Sequence, residues 1–350
     1  MALFLLLDLL LLLVVTPSTS VKNCHPGCHC DVENFGLFDS FSLTTVNCQG
    51  LESGTTMPVP IPLDTAYLDL SSNAMGPLTD TMLAGPGYTT LVSLDLSNNH
   101  ITMVSSKAFS KLYYLEILDL SHNELEALSS GCFSGLPLAE VDLSYNNFQD
   151  FDMGAFAVKV NGKPVSVDLS HNKLVSISAM PHGKLVHIQR LNLTANRFSS
   201  VPKLAGLDIL RYLNLDKNPI VTIKEGDFAH LKDLVYLSLS GLHELEKIEM
   251  HSFKNLQSLQ VLDLSNNPKL KTLSPSVFNR LKSLQELNLS GSGLTSLPNN
   301  ILSHLPSIKS ITLGQNIRCW RSQKQGQFHR QLGQTKHYEV LNCNRNGVLL

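Results

Sequence analysis

The residues best equipped for chemistry in this 350-residue chain are its seven cysteines and thirteen histidines, and spacing limits what they can do. Cys24, Cys28, His29 and Cys30 lie close enough for a zinc site, but their interval is not that of a standard finger. Cys24, Cys28, Cys30 and Cys48 cluster near one end and are matched by Cys319 and Cys343 near the other. In an oxidising compartment such groups close disulfides. Cys132 is left over beside Phe133 and reads as a small apolar filler of a core wall. His122 and His171 sit at equivalent places of a repeat with Tyr145 between them. Two strand spacings separate them by about 10 Å, too far to share a metal without bridging. Ser, His and Asp clusters all belong to the repeat itself, so the sequence predicts no enzyme, no cofactor and no metal.

The element that positions these residues is a six-residue frame, apolar-x-apolar-x-x-Asn, seen clearly in Leu118-Asp-Leu-Ser-His-Asn123. Copies occupy 68–73, 94–99, 118–123, 141–146, 167–172, 191–196, 213–218 and 262–267. Weaker copies place Leu242 and Ser292 where Asn belongs, and 311–316 closes the series. Successive Asn positions lie 22 to 26 residues apart, a leucine-rich-repeat period. Each frame predicts a short strand and a turn. Its two apolar residues face inward, its middle residue outward, and its Asn satisfies backbone groups at the inward corner. Leu242 and Ser292 should loosen that ladder locally. A second signal, about ten residues later, is Phe109, Phe133, Phe156, Phe228, Phe253 and Phe278, which predicts an aromatic spine on the convex side of the core.

One repeat cannot bury its own apolar face, so neighbours must stack. The sequence therefore predicts an α/β leucine-rich-repeat solenoid. A curved parallel β-sheet lines the concave face, short helices, 3-10 turns and loops form the convex face, and disulfide-bonded caps close the ends. Residues 1–20 read as a signal peptide: 3–15 are apolar except Asp8, and small residues follow, although the segment lacks a leading Lys or Arg. Thirteen residues interrupted by a charge are short for a membrane span. Residues 21–62 read as an N-terminal cysteine-rich cap, with 36–59 hairpin-like and Pro58, Pro60 and Pro62 extended. About eleven repeats fill 63–317, and 318–350 form a C-terminal cap with a basic tail. Eleven strands make an inner face on the order of 50 Å long, the size of a protein rather than a metabolite.

The outward middle positions begin Asp69, Asp95, Asp119, Asp142 and Asp168, five carboxylates on neighbouring rungs. Like charges so placed repel, so the row needs serine neighbours, water or a cationic partner. It reads either as solvated repeat filler or as an acidic track for a basic protein. Residues 21–160 hold 4 Lys or Arg against 16 Asp or Glu, and 161–350 hold 23 against 12. That asymmetry steers charged partners. Arg190, Tyr212 and Tyr236, each preceding the first apolar residue of its strand, are of types that dominate binding energy. Arg318, Arg321, Lys324, Arg330 and Lys336 make a candidate heparan-sulfate contact. Nucleic acid is not expected of a secreted solenoid. Asn192-Leu-Thr194 and Asn288-Leu-Ser290 are N-glycosylation sequons at outward positions. Occupied, they would push a protein site towards the acidic rungs.

With Cys24-x3-Cys28-x-Cys30-x17-Cys48, a long solenoid and a terminal cysteine pair, the chain resembles the secreted small leucine-rich proteoglycans. The resemblance narrows to a signalling branch at Phe35-Gly-Leu-Phe-Asp-Ser-Phe-Ser-Leu43, Met57-Pro-Val-Pro-Ile-Pro-Leu-Asp64 and Leu83-Ala-Gly-Pro-Gly-Tyr-Thr-Thr-Leu91. It implies pairing of Cys24 with Cys30, Cys28 with Cys48 and Cys319 with Cys343. It also implies an extracellular or matrix protein that tunes developmental signalling by non-catalytic competition or sequestration. The implied partners are bone morphogenetic proteins with chordin, Frizzled receptors, fibroblast growth factors and transforming growth factor β. The alternative is a structural protein organising collagen fibrils, which the absence of an elongated penultimate repeat disfavours.

Overall fold

Alternation of apolar residues in an extended segment puts both on one side and the residue between them on the other. The computed structural model of the chain repeats that geometry rung after rung. It describes residues 24–35, 41–51, 56–157, 162–178, 186–296, 301–314, 317–329, 334–345 and 348–349. Parallel rungs lie at Thr65–Asp69, Ser93–Asp95, Ile117–Asp119, Glu140–Asp142, Val165–Asp168, Ile188–Asn192, Tyr212–Asn214, Tyr236–Ser238, Val261–Asp263, Glu286–Asn288 and Ser310–Gly314. Register pairs like with like. Leu68 faces Leu94, then Leu118, Val141, Val167, Leu191, Leu213, Leu237, Leu262, Leu287 and Ile311 follow in one buried row.

Antiparallel caps end the sheet. His29–Phe35 pairs with Phe41–Asn47, which runs parallel to the first rung. Ile317–His329 runs antiparallel to both Ser310–Gly314 and Gln334–Arg345. The N-terminal hairpin thus starts at His29, earlier than the expected 36–59. The physical reason is covalent. Cys30 is bonded to Cys24 and sits opposite Val46 in the ladder, while Cys28 is bonded to Cys48 at the strand's far end. These bonds use the three sulfurs, of Cys24, Cys28 and Cys30, that the zinc site would need. Cys319 is buried and disulfide-bonded, and the ladder places it opposite Cys343. Residues 1–20 and 36–40 lie outside the described residues.

The convex side is built from turns and short helices. Pro86–Thr90 and Pro275–Phe278 are 3-10 turns that open with proline, a residue suited to a first helical position because it lacks the orphan N–H. Behind them stand Phe109, Phe133, Phe156, Phe228, Phe253 and Phe278, all buried. Neighbouring rings meet at 5.8 Å for Phe109 and Phe133, 5.0 Å for Phe133 and Phe156, and 5.8 Å for Phe228 and Phe253. Phe148, Phe151 and Phe198 add to the core from other positions. Cys132 is buried among them, and burial pushes its thiol up to about 12, so it packs as an apolar group.

Among the described residues, each asparagine of the frame holds the corner where the chain turns inward. Asn146 Oδ1 accepts from the Leu125 N–H at 3.0 Å, and its Nδ2 donates to the carbonyls of Leu120, Leu143 and Ser144. Asn99, Asn123, Asn172, Asn196 and Asn218 repeat this pattern. The residue before each Asn is forced into left-handed backbone: Asn98, His122, Tyr145, His171, Ala195 and Lys217 all have φ of 53–55°. Leu242 and Ser292 interrupt the side-chain ladder, yet the expected loosening does not reach the strands. Leu242 is fully buried and its N–H is accepted by Asn267 Oδ1, Ser292 Oγ donates to the Leu289 carbonyl, and both rungs remain in register.

Candidate functional site

The middle residues of the rungs form the concave face, and the half-buried aspartates there each perform a local task. Asp69, Asp95, Asp119, Asp142 and Asp168 each accept, through Oδ1, the N–H of the serine two residues on, at 2.8 Å. That bond closes the turn after the strand. Register then stacks the five carboxylates directly beside one another. The crowding has an electrostatic signature at the centre of the row. Asp119 is held above the usual carboxylate range, first by burial and then by the charges of Asp142 and Asp95, against bonds from Ser121. A carboxylate so placed gains from a neighbouring cation.

At Asn192 the row changes character. Arg190, Tyr212 and Tyr236 face one another across adjacent rungs. The Arg190 guanidinium lies 4.0 Å from the Tyr212 ring centroid, and the two tyrosine rings are 6.2 Å apart. Together with Glu140, Asp142, Asp168 and Asn214 they line a cleft of about 290 Å³. Carboxylates stand on its N-terminal side and aromatic faces on its C-terminal side. Below it, Asp216 accepts from Ser238 Oγ at 2.6 Å and from the Ser240 N–H at 2.7 Å. Burial raises its pKa against those bonds. Asp216 thus bridges two rungs.

Both sequon asparagines are half-buried members of this face. Asn192 Nδ2 donates to Asp168 Oδ2 at 2.8 Å, and Asn288 Nδ2 to Asp263 Oδ2 at 3.1 Å. Their Oδ1 atoms accept from Thr194 and Ser290. Asn192 also lines the cleft, so the Arg190 group and a sequon occupy one place. Of the basic cap, Arg330 lies outside the described residues, as do the side chains of Arg318, Arg321, Lys324 and Lys336, whose backbones run in the two long terminal strands.

One arrangement was not read from the sequence. At the corner position before Asn, the rings of His122, Tyr145 and His171 stack almost parallel, with centroids 4.2 Å apart at both contacts. The equivalence of the two histidines with Tyr145 between them was visible. What was missing was the direction that left-handed backbone gives the side chains, which turns three residues on successive rungs into one pile of rings. Among the described residues no group of three or more His, Cys, Asp or Glu is placed to hold a metal, and no helix is long and apolar enough to cross a membrane.

Comparison with known proteins agrees with this architecture. A leucine rich repeat family model matches residues 89–148, 165–220, 186–243, 242–294 and 269–317. Tsukushi of Danio rerio is 59% identical over 331 residues, covering 95% of this chain and 95% of that protein. Tsukushi of Gallus gallus is 56% identical over 326 residues, 93% of this chain and 88% of the relative. Tsukushi of Homo sapiens is 53% identical over 330 residues, 93% and 92%. Among solved structures, a Drosophila Toll–Spatzle complex in glycosylated form superposes with a TM-score of 0.52 at 21% identity, covering 70% of this chain and 37% of that one. That likeness concerns the fold.

Proposed function

The chain belongs to the Tsukushi family of leucine-rich-repeat proteins, and from that premise we propose that it is a secreted, non-catalytic modulator of extracellular signalling which captures proteins on its concave face. The observation that carries the proposal is the junction between Asp168 and Arg190. There a row of five stacked carboxylates ends against a cleft walled by Arg190, Tyr212 and Tyr236. A basic loop of a protein ligand would place its cations along Asp95, Asp119 and Asp142 and a side chain in the cleft. Central aromatic and Arg anchors ringed by polar groups are the pattern from which interfaces draw most of their energy. Occupying a ligand or receptor surface changes how much productive complex forms without any bond being made or broken.

The partners we assign are bone morphogenetic proteins with chordin, Frizzled receptors, fibroblast growth factors and transforming growth factor β. Heparan sulfate at Arg318, Arg321, Lys324, Arg330 and Lys336 is an ancillary contact in this reading. The test is titration of the purified secreted chain with a bone morphogenetic protein and with a Frizzled extracellular domain, beside fibrillar collagen. Each is repeated with Asp95, Asp119 and Asp142 changed together to Asn. The triple change keeps the fold, because Asn192, Asn214 and Asn288 already accept the same backbone N–H at the same frame position. Loss of about tenfold or more in affinity, with stronger salt dependence in the parent, is the expected result. Unchanged affinity would remove the acidic rungs from the interface, and binding to collagen alone would favour the fibril-organising role.

A further inference from the structure

The ring pile at the corner ends abruptly, and its end is shaped. His171 has Tyr145 against one face at 4.2 Å. On the next rung the equivalent residue is Ala195, whose N–H bonds to the Asp216 carbonyl just as that of His171 bonds to Thr194. A methyl group therefore stands where a fourth ring would be, which leaves a recess one rung wide beside the outer face of His171. The rung after that bears Lys217, an exposed residue whose stem leans away from the recess: its Cγ is 3.3 Å from the place a Cβ would take on Gly241.

Three cations stand on the rungs of His171, Ala195 and Lys217. Lys173 and Arg197 occupy the same frame position, immediately after Asn, on the His171 and Ala195 rungs, and Lys217 completes the group. Among the described residues none of the three forms an ion pair with a carboxylate, whereas Lys163, Lys247, Lys254 and Lys269 elsewhere each do. Asp168 and Asp216, on two of the same rungs, are already engaged. Asp168 accepts from the Ser170 N–H and from Asn192 Nδ2, and Asp216 from Ser238 and Ser240. Glu124, on the first rung of the pile, is bonded to His100 at 3.0 Å. The result is a flat ring face, a gap where a fourth ring would stand and, on the same three rungs, three cations with no carboxylate partner among the described residues.

We propose that this corner is a binding site for an acidic glycan, with one sugar ring seated over Ala195 against His171 and its sulfate or carboxylate groups met by Lys173, Arg197 and Lys217. A sugar ring presents C–H groups on one face, which suit the negative face of an aromatic ring, and charged substituents around its edge. Lysine and arginine bind sulfate and carboxylate through charge-assisted hydrogen bonds. The site is separate from the concave cleft and from the terminal basic strands, so a protein ligand and a glycan chain can be held at once.

The experiment measures binding of a heparin-derived octasaccharide, and of its fully desulfated counterpart, to the full secreted chain at neutral pH. Changing Lys173, Arg197 and Lys217 together to Gln lowers affinity for the sulfated probe by at least about tenfold, and the desulfated probe binds far more weakly to the parent chain. Ala195→His fills the recess with a residue the frame already carries at two equivalent positions, adds no negative charge, and also weakens binding. Thermal unfolding near that of the parent shows that these variants fold. The seating over Ala195 is overturned if Ala195→His binds as the parent does. The site itself is overturned if the parent fails to bind, or if the triple variant binds normally while Arg318, Arg321 and Lys324 changed to Gln abolish binding.

Discussion

Two polar rows run along the same rungs four residues apart in the frame, and they differ in what depends on them. The asparagine row, from Asn73 to Asn218 and again at Asn267, is almost wholly buried except at its first member, and each side chain serves backbone groups on two rungs. The aspartate row is half-exposed, and each side chain serves one backbone N–H, two residues away on its own rung. Both repeat in the sequence, yet many more backbone groups depend on the asparagines than on the aspartates. The aspartate row passes into Asn192, Asn214, Ser238, Asn288 and Thr312 without disturbing the register. The lesson is that the number of otherwise unpartnered backbone groups, rather than regularity, measures how strongly a polar residue is held in place.

The largest effect belongs to the buried row. Asn146→Ala strands the Leu125 N–H and withdraws a donor from three carbonyls. At about 1–3 kcal/mol for each buried group left unsatisfied, unfolding in urea should show a loss of roughly 3 kcal/mol or more. Asn218→Leu sharpens the point, because Leu242 shows that the corner accepts leucine. It strands the Phe198 N–H but fills the space, and it should cost less than Asn146→Ala. Equal losses would mean that hydrogen bonding alone sets the scale. Of intermediate size is Asp216→Ala. It removes the acceptor of the Ser240 N–H and of the buried Ser238 hydroxyl, for about 1–3 kcal/mol. Asp216→Asn should recover much of that, since the Ser240 N–H keeps its acceptor.

The solenoid was legible because its period, its apolar pair and its asparagine each encode one feature of a rung, and stacking repeats them in register. Outward Asp69 to Asp168 and the grouping of Arg190, Tyr212 and Tyr236 follow from the same alternation. What the sequence hid lies where local geometry departs from it. The N-terminal strand begins at His29, next to Cys28, whose disulfide to Cys48 ties it to the end of the partner strand, a covalent constraint with no periodic signal. Phe148, Phe151 and Phe198 pack into the core from outside the spine spacing. The ring pile depends on a φ near 54° at His122, Tyr145 and His171, and composition does not announce backbone that is left-handed without glycine. The task of Asp216 was hidden because its partners, Ser238 and Ser240, lie on the next rung.

The smallest effect is the sharpest test of whether the two rows really differ. Burial, and then the charges of Asp142 and Asp95, raise the pKa of Asp119 in the folded chain. Between its unfolded and folded pKa values the folded state therefore binds more protons than the unfolded one, and stability falls as pH rises through that window. At neutral pH the ionised carboxylate is a net cost. Asp119→Asn keeps an oxygen for the Ser121 N–H, as Asn192 does for Thr194, and removes the repulsion. It should stabilise the protein at neutral pH by on the order of 0.5 kcal/mol, with the gain shrinking towards zero as the solution is acidified below the window. Urea unfolding at a series of pH values reads both the sign and the window. A loss of stability at neutral pH would mean that the charge itself holds the turn. Asp119 would then belong, with the asparagines, among the residues the fold requires, and the carboxylate row would no longer be free for a partner.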